Sequence, residues 1–144
     1  MTYVGAPHVY YGDEIATEGQ GDPDCRRPFY WKWNEDAERR STHDYYRTLI
    51  GIRHALPALR QGSFRTVFAS GAIYAYLREY HDQRVLVVLN NSPAAVETEL
   101  PVGELALAAG ASFKDRIDGT VLRPGGESLR VALGPFGGRI LVIE

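Results

Sequence analysis

From Gly62 to the end of the chain, apolar and polar positions alternate with a period of two in short bursts. FRTVFAS, AIYAYLREY, RVLVVLNNS, AAVETEL, SFKDRI, GTVLRP, SLRVAL and GGRILVIE follow one another, each bounded by Gly, Pro, Asn, Asp or Ser. Regularly spaced strands of this kind predict an antiparallel sandwich or barrel. Within Ile73–Tyr80, Ile73, Ala75 and Leu77 alternate with Tyr74, Tyr76 and Arg78. That spacing predicts one buried face and one face presenting tyrosines. The Gly pairs Gly125-Gly126 and Gly137-Gly138 read as hairpin turns. The segment ELALAAGA fits a helical turn or a loop equally well.

The first third is patterned differently. His8–Tyr11, bounded by Pro7 and Gly12, reads as a short strand buried on both faces. A polar, Gly-rich stretch over roughly residues 13–41 follows. Loops of that length in compact domains are usually functional or disordered. Ser41 or Thr42 can cap a helix running to about Leu56, with Tyr45, Leu49, Ile52 and Leu56 on one stripe, Ile50 widening it, and Pro57 ending it. A single strand–loop–helix unit cannot bury its faces alone, because a parallel strand needs neighbours. The asymmetry therefore suggests part of a larger architecture joined to a β domain.

Composition narrows the function. Hydrophobic residues make up 44% of the 144-residue chain and charged residues 24%, as in ordinary globular domains. A net charge of −2 leaves no footprint for nucleic acid or an anionic membrane. The longest apolar runs, Val85–Leu89 and Ile140–Ile143, are too short to span a bilayer. No signal-peptide pattern opens the chain, so a cytoplasmic protein is expected unless a signal lies upstream of Met1. The lone Cys25 cannot form an internal disulfide and is expected to be packed and inert. His8, His43, His54 and His81 lack metal-ligand spacing, and no cofactor motif is present, so neither metal nor cofactor is expected. Most aromatic residues, including all nine tyrosines, lie at or before Tyr80. Rings of this kind suit either a core or the apolar faces of sugars.

The run GAPHVYYGDEI (residues 5–15), followed by GDPDCRRPF (residues 21–29), resembles the end of the catalytic barrel in the α-amylase family (family 13) of glycoside hydrolases. "DPDCRRP" is similar to the neopullulanase, cyclomaltodextrinase and maltogenic amylase subgroup. "LPALRQG" resembles the exit of the last barrel helix, and "YAYLREY…RVLVVLNNS" the first strands of the family's C-terminal β domain. The resemblance spans the whole chain. It implies a mainly β fold: residues 1–57 a remnant of a (β/α)₈ barrel (last strand, substrate-side loop, last helix), and residues 58–144 a C-terminal antiparallel β-sandwich. Phe29 stands where the family usually has Met, which puts the local pocket shape in question.

The resemblance also implies a function. The parent would be a retaining α-glucan hydrolase or transglycosylase acting on maltooligosaccharides, cyclodextrins or pullulan. Asp22 and Arg26 match positions that contact glucose units on the non-reducing side of the cleavage point. The family's catalytic nucleophile, general acid and third carboxylate lie on earlier barrel strands, and none of those motifs is here, so no catalytic residue is assigned. The residues present do not replace them. Retaining hydrolysis needs two carboxyl groups about 5–5.5 Å apart, one of them protonated. Asp13 and Glu14 are adjacent at an expected strand end, where side chains diverge. Asp22 and Asp24 lie near Arg26 and Arg27, whose charges favour the carboxylate form, the wrong direction for an acid. The chain alone is therefore expected to be inactive. Alternative readings are a non-catalytic α-glucan-binding module, with Tyr74 and Tyr76 or Trp31 and Trp33 as platform, and a structural β-sandwich. In the structural reading the exposed surfaces of the barrel remnant could support a homodimer.

Overall fold

A computed structural model describes residues 1–144. The period-two segments form eight strands: β1 (Ser63–Ser70), β2 (Ile73–Tyr80), β3 (Gln83–Asn90), β4 (Val96–Pro101), β5 (Phe113–Asp115), β6 (Val121–Leu122), β7 (Ser128–Leu133) and β8 (Gly138–Ile143). They make a six-stranded sheet in the order β1-β2-β3-β8-β5-β6 and a two-stranded sheet, β4-β7. All pairings are antiparallel. β1 and β2 change register between Thr66 and Phe68, a bulge at the sheet edge.

The two sheets close over one core. Ile73, Ala75, Leu77, Leu86 and Val88 face Leu100, Leu129, Val131 and Leu133 across it. The register Leu77↔Leu86 and Ala75↔Val88 puts these residues on one face, as strand alternation requires. Asn90 ends β3 in this buried environment. Its Nδ2 donates to the carbonyls of Ala94 (2.7 Å) and Gly134 (2.9 Å), and its Oδ1 accepts from Ser92 N and Oγ. The "NNS" of the sequence is thus a satisfied polar corner rather than a turn tip.

The other face of the large sheet is not open. Helix α1 (Ala37–Ala55) and helix α2 (Pro57–Gln61) cover it, and Ile52, Leu56, Ala58 and Leu59 pack on Tyr76, Val85, Val87 and Ile140. Tyr76 is 1% exposed, which corrects the expectation of a tyrosine-presenting face. The helices bury it, while Tyr74 stays half-buried at the rim.

α1 starts earlier than Ser41. Asp36 caps it, its carboxylate accepting from the amides of Glu38 and Arg39. The N-terminal amides of a helix need acceptors, and Asp36 meets that need before Ser41 is reached. Pro57 ends α1 and also opens α2 at a position where its missing N–H costs nothing.

His8–Tyr11 is not a strand. It has no ladder partner, and its residues are exposed or half-buried. A parallel strand without neighbours leaves its backbone to water and turns. Gly125-Gly126 does form a tight hairpin turn, closed by the antiparallel bridge between Gly125 and Ser128, whereas Gly137-Gly138 leads from β7 to β8, strands that lie in different sheets and do not pair. ELALAAGA holds a short 3₁₀ turn, Gly103–Leu105. No helix is long and apolar enough to cross a membrane.

Candidate binding site in the N-terminal loop

Three 3₁₀ turns shape the loop ahead of α1: Asp13–Ile15, Asp24–Arg26 and Trp33–Glu35. The first follows Gly12, whose φ of 95° favours glycine. Its side chains serve the backbone: Asp13 Oδ2 accepts from Tyr10 N at 3.0 Å and Glu14 Oε2 from Gly12 N at 2.8 Å. These two carboxylates therefore belong to a turn, not to a strand end. Ile15, fully buried, anchors the turn against α1.

In the second turn each acidic residue takes its own arginine. Arg26 lies 3.1 Å from Asp22, with side chains 68% and 63% exposed. Arg27 grips Asp24 through two parallel bonds, Nε to Oδ1 at 2.6 Å and Nη2 to Oδ2 at 2.8 Å, the strong forked arrangement. Asp24 also accepts from Gln20 N. The Arg27 hydrogen bond, then that amide, hold the Asp24 carboxyl below the usual aspartate range. It is a fixed anion, the opposite of a general acid.

Aromatic rings flank the exposed pair. Tyr10 and Tyr11 lie 4.6 Å apart, centroid to centroid, and the Tyr11 hydroxyl donates to the Arg27 carbonyl. Hydrogen bonding with Tyr11 pushes the Tyr10 phenol up, opposed by a smaller effect of the Arg26 charge. Further along, Trp31 is 82% exposed with Phe29 edge-on at 4.9 Å. Trp33 instead stacks on His43 at 4.2 Å and is half-buried. Cys25 is exposed, not packed. It sits in a one-turn helix with nothing folded over it, its sulfur 4.0 Å from Asp22.

The structure thus brings Asp22 and Arg26 together in the open and ties Tyr11 to the backbone of the adjoining Arg27. Tyr10 and Tyr11 escape a reading of the sequence that treats His8–Tyr11 as a buried strand. The adjacent Gly12 was the available sign that the chain turns there. An exposed carboxylate, a guanidinium and ring faces can offer acceptors and donors to hydroxyl groups and stacking surfaces to C–H faces. No group of three or more His, Cys, Asp or Glu side chains stands close enough together to hold a metal ion.

Comparison with known proteins agrees with this architecture. Residues 64–140 match the family described as Maltogenic Amylase, C-terminal domain. Neopullulanase 2 of Thermoactinomyces vulgaris is 38% identical over 143 residues, covering 98% of the chain and 24% of that protein. A cyclomaltodextrinase of Thermoanaerobacter pseudethanolicus is 45% identical over 92 residues, 64% of the chain and 16% of that protein. A solved cyclomaltodextrinase superposes with a TM-score of 0.85 at 31% identity, over 99% of the chain and 24% of its own. The chain thus spans about a quarter or less of the length of these relatives.

Proposed function

Starting from a chain that belongs to the maltogenic amylase C-terminal domain family, within the α-amylase family of glycoside hydrolases, we propose that it is the C-terminal segment of an α-glucan hydrolase or transglycosylase. Its substrates are maltooligosaccharides, cyclodextrins or pullulan. Residues 1–57 serve as the closing piece of the catalytic barrel and residues 58–144 as the sandwich that supports it. Asp22 and Arg26 contact glucose hydroxyls and do not cleave bonds. The observation that carries this reading is the exposed Asp22–Arg26 pair, with Tyr11 hydrogen-bonded to the backbone of the adjoining Arg27. Structural ion pairs gain nothing from such exposure, whereas a sugar needs both partners accessible.

Titration calorimetry of the chain with maltohexaose tests the reading. Saturable binding that Asp22→Asn and Arg26→Gln each weaken by about tenfold, the scale of a lost charged hydrogen bond, supports it. Binding that is absent, or indifferent to both substitutions, refutes the assignment. Reducing-sugar release from β-cyclodextrin by the isolated chain is expected to be nil.

A glucan platform on the sandwich is the weaker reading, because Tyr76 is covered by helices. Self-association has one observation in its favour: Tyr45 and Ile50 of α1, with Tyr3 and Val4, are exposed apolar residues on the segment 1–57. Sedimentation equilibrium decides it, a second copy being the proposed partner.

A further inference from the structure

The loop that carries Tyr10, Tyr11, Asp22 and Arg26 is held by its backbone, and the holders are arginines from outside it. Arg53 of α1 donates from Nη1 to the carbonyls of Met1 (2.6 Å) and Tyr3 (3.2 Å), and from Nη2 to that of Gly5 (2.6 Å). Arg78 of β2, 2% exposed, donates to the carbonyls of Thr2 (2.8 Å), Gly62 (3.1 Å) and Ser63 (2.9 Å). Arg39 of α1 donates to those of Ile15 (3.0 Å) and Ala16 (3.3 Å). Tyr3 adds apolar weight at the first anchor, its ring 4.9 Å from Phe64 and 5.9 Å from Tyr76.

These contacts are unusual in kind. A buried cation ordinarily has a carboxylate partner, but no Asp or Glu forms a salt bridge with Arg78 or Arg53. The charge of Arg78 is shared among three carbonyl dipoles. Two of them belong to the entrance of the sandwich, and the third, on Thr2, belongs to the start of the loop. A planar guanidinium can satisfy several carbonyls in fixed directions at once, which an ammonium cannot. Between Gly5 and Ile15 the chain has no strand and no helix before the turn at Asp13. The tyrosine segment is tied at its two ends, Met1–Gly5 and Ile15–Ala16, and between them by the bonds of the Asp13 turn and of the Tyr11 hydroxyl.

We propose that Arg53, Arg78 and Arg39 are positioning residues for sugar binding, through which the sandwich and α1 hold the tyrosine loop in register with the Asp22–Arg26 pair. None of the three touches the sugar. The proposal rests on the glucan-binding reading of that loop.

The test combines amide hydrogen exchange with maltohexaose titration on the full chain, comparing Arg53→Gln and Arg39→Gln with the unaltered protein. Arg130→Gln in β7, whose side chain makes an exposed pair with Glu97 of β4, is the control. Arg78→Met is added if it folds; the partly exposed Arg53 and Arg39 keep the test decisive if it does not. Exchange over residues 6–14 is expected to quicken by about tenfold, as for a locally released segment, while that over residues 83–90 stays as before and maltohexaose affinity drops at least about fivefold. Equal acceleration in residues 83–90 would reduce the arginines to general stabilisers and overturn the proposal. Unchanged affinity with a loosened loop overturns it too. If the unaltered chain fails to bind maltohexaose, the sugar reading falls. The exchange data still judge the anchoring: acceleration confined to residues 6–14 upholds it, and none refutes it.

Discussion

Arg139 on β8 places its Nη1 2.7 Å from the Asp115 carboxylate on β5, whose side chain is 1% exposed. The same nitrogen meets Asp118 at 3.1 Å, and Nε donates to the Ala132 carbonyl on β7. One guanidinium therefore ties the large sheet to the small one. Replacing it with Met leaves a buried carboxylate without its cation, although Asp115 still accepts from Ile117 N. Arg139→Met is expected to lower stability by about 3 kcal/mol, read from the urea midpoint at unchanged slope. A loss below about 1 kcal/mol would mean that the local amides suffice.

Gly62 is required by space rather than by backbone angle. Its φ is −70°, which any residue adopts, but a Cβ there would lie 2.3 Å from the Ala58 carbonyl oxygen and 2.7 Å from that of Glu79. Both are backbone atoms and cannot swing aside. Gly62→Ala is expected to cost about 2 kcal/mol or more through overpacking and to shift α2 off β2. Gly51, with open space around it, is the comparison: Gly51→Ala should be neutral or stabilising by a few tenths of a kcal/mol up to about 1 kcal/mol. Thermal unfolding of the two variants separates the causes.

Tyr76 and Thr2 share a 2.7 Å hydrogen bond between hydroxyls. Burial pushes the Tyr76 phenol up, with smaller opposing effects from Thr2 and Arg78. A raised folded value gives a contribution that is whole below the unfolded tyrosine value of about 10 and is lost as pH rises from there through the folded value. Spectrophotometric titration near 295 nm should show Tyr76 ionising late, together with Tyr10 and Tyr45, whose phenols are also raised. Tyr76→Phe should remove one tyrosine from that late phase and cost about 1 kcal/mol. If the amplitude of the late phase is unchanged in Tyr76→Phe, Tyr76 does not contribute to it.

Acid should loosen the turn around Asp24. Asp24 is depressed chiefly by its Arg27 hydrogen bond. A depressed folded value gives a contribution present above the unfolded aspartate value of about 3.9 and lost as pH falls through the lower folded one. The pair is exposed, so the effect is local. The Gln20 amide, which donates to Asp24, should stay protected at pH 6 and 5 and lose protection only below about pH 4. In Asp24→Asn it should be equally exposed at every pH. Nuclear magnetic resonance of that amide checks both.

The sandwich was legible because strand alternation is local: every second residue of Ile73–Tyr80 and Gln83–Asn90 that is apolar on one face ends in the central core. The ends of elements were less so. Ser41 and Thr42 are acceptable caps in isolation, but Asp36 reaches the free amides first. The exposed ion pair followed from the spacing of Asp22 and Arg26, four residues apart, once that stretch turned. That Asp24 pairs with Arg27 and not with Arg26 depended on the turn's geometry.

By itself, then, the amino-acid order determined the period-two strands, the amphipathic helix stripe ending at Leu56, and the motif resemblance that the family match bears out. Those properties depend on neighbours within a few residues. Only the tertiary structure decided that the outer face of the large sheet is covered, that His8–Tyr11 finds no strand partner, and that Arg53 and Arg78 spend their charge on carbonyls of Met1–Gly5. Each of those outcomes turns on which distant segment comes to lie alongside, and a guanidinium or a tyrosine has the same local preferences whether that neighbour arrives or not.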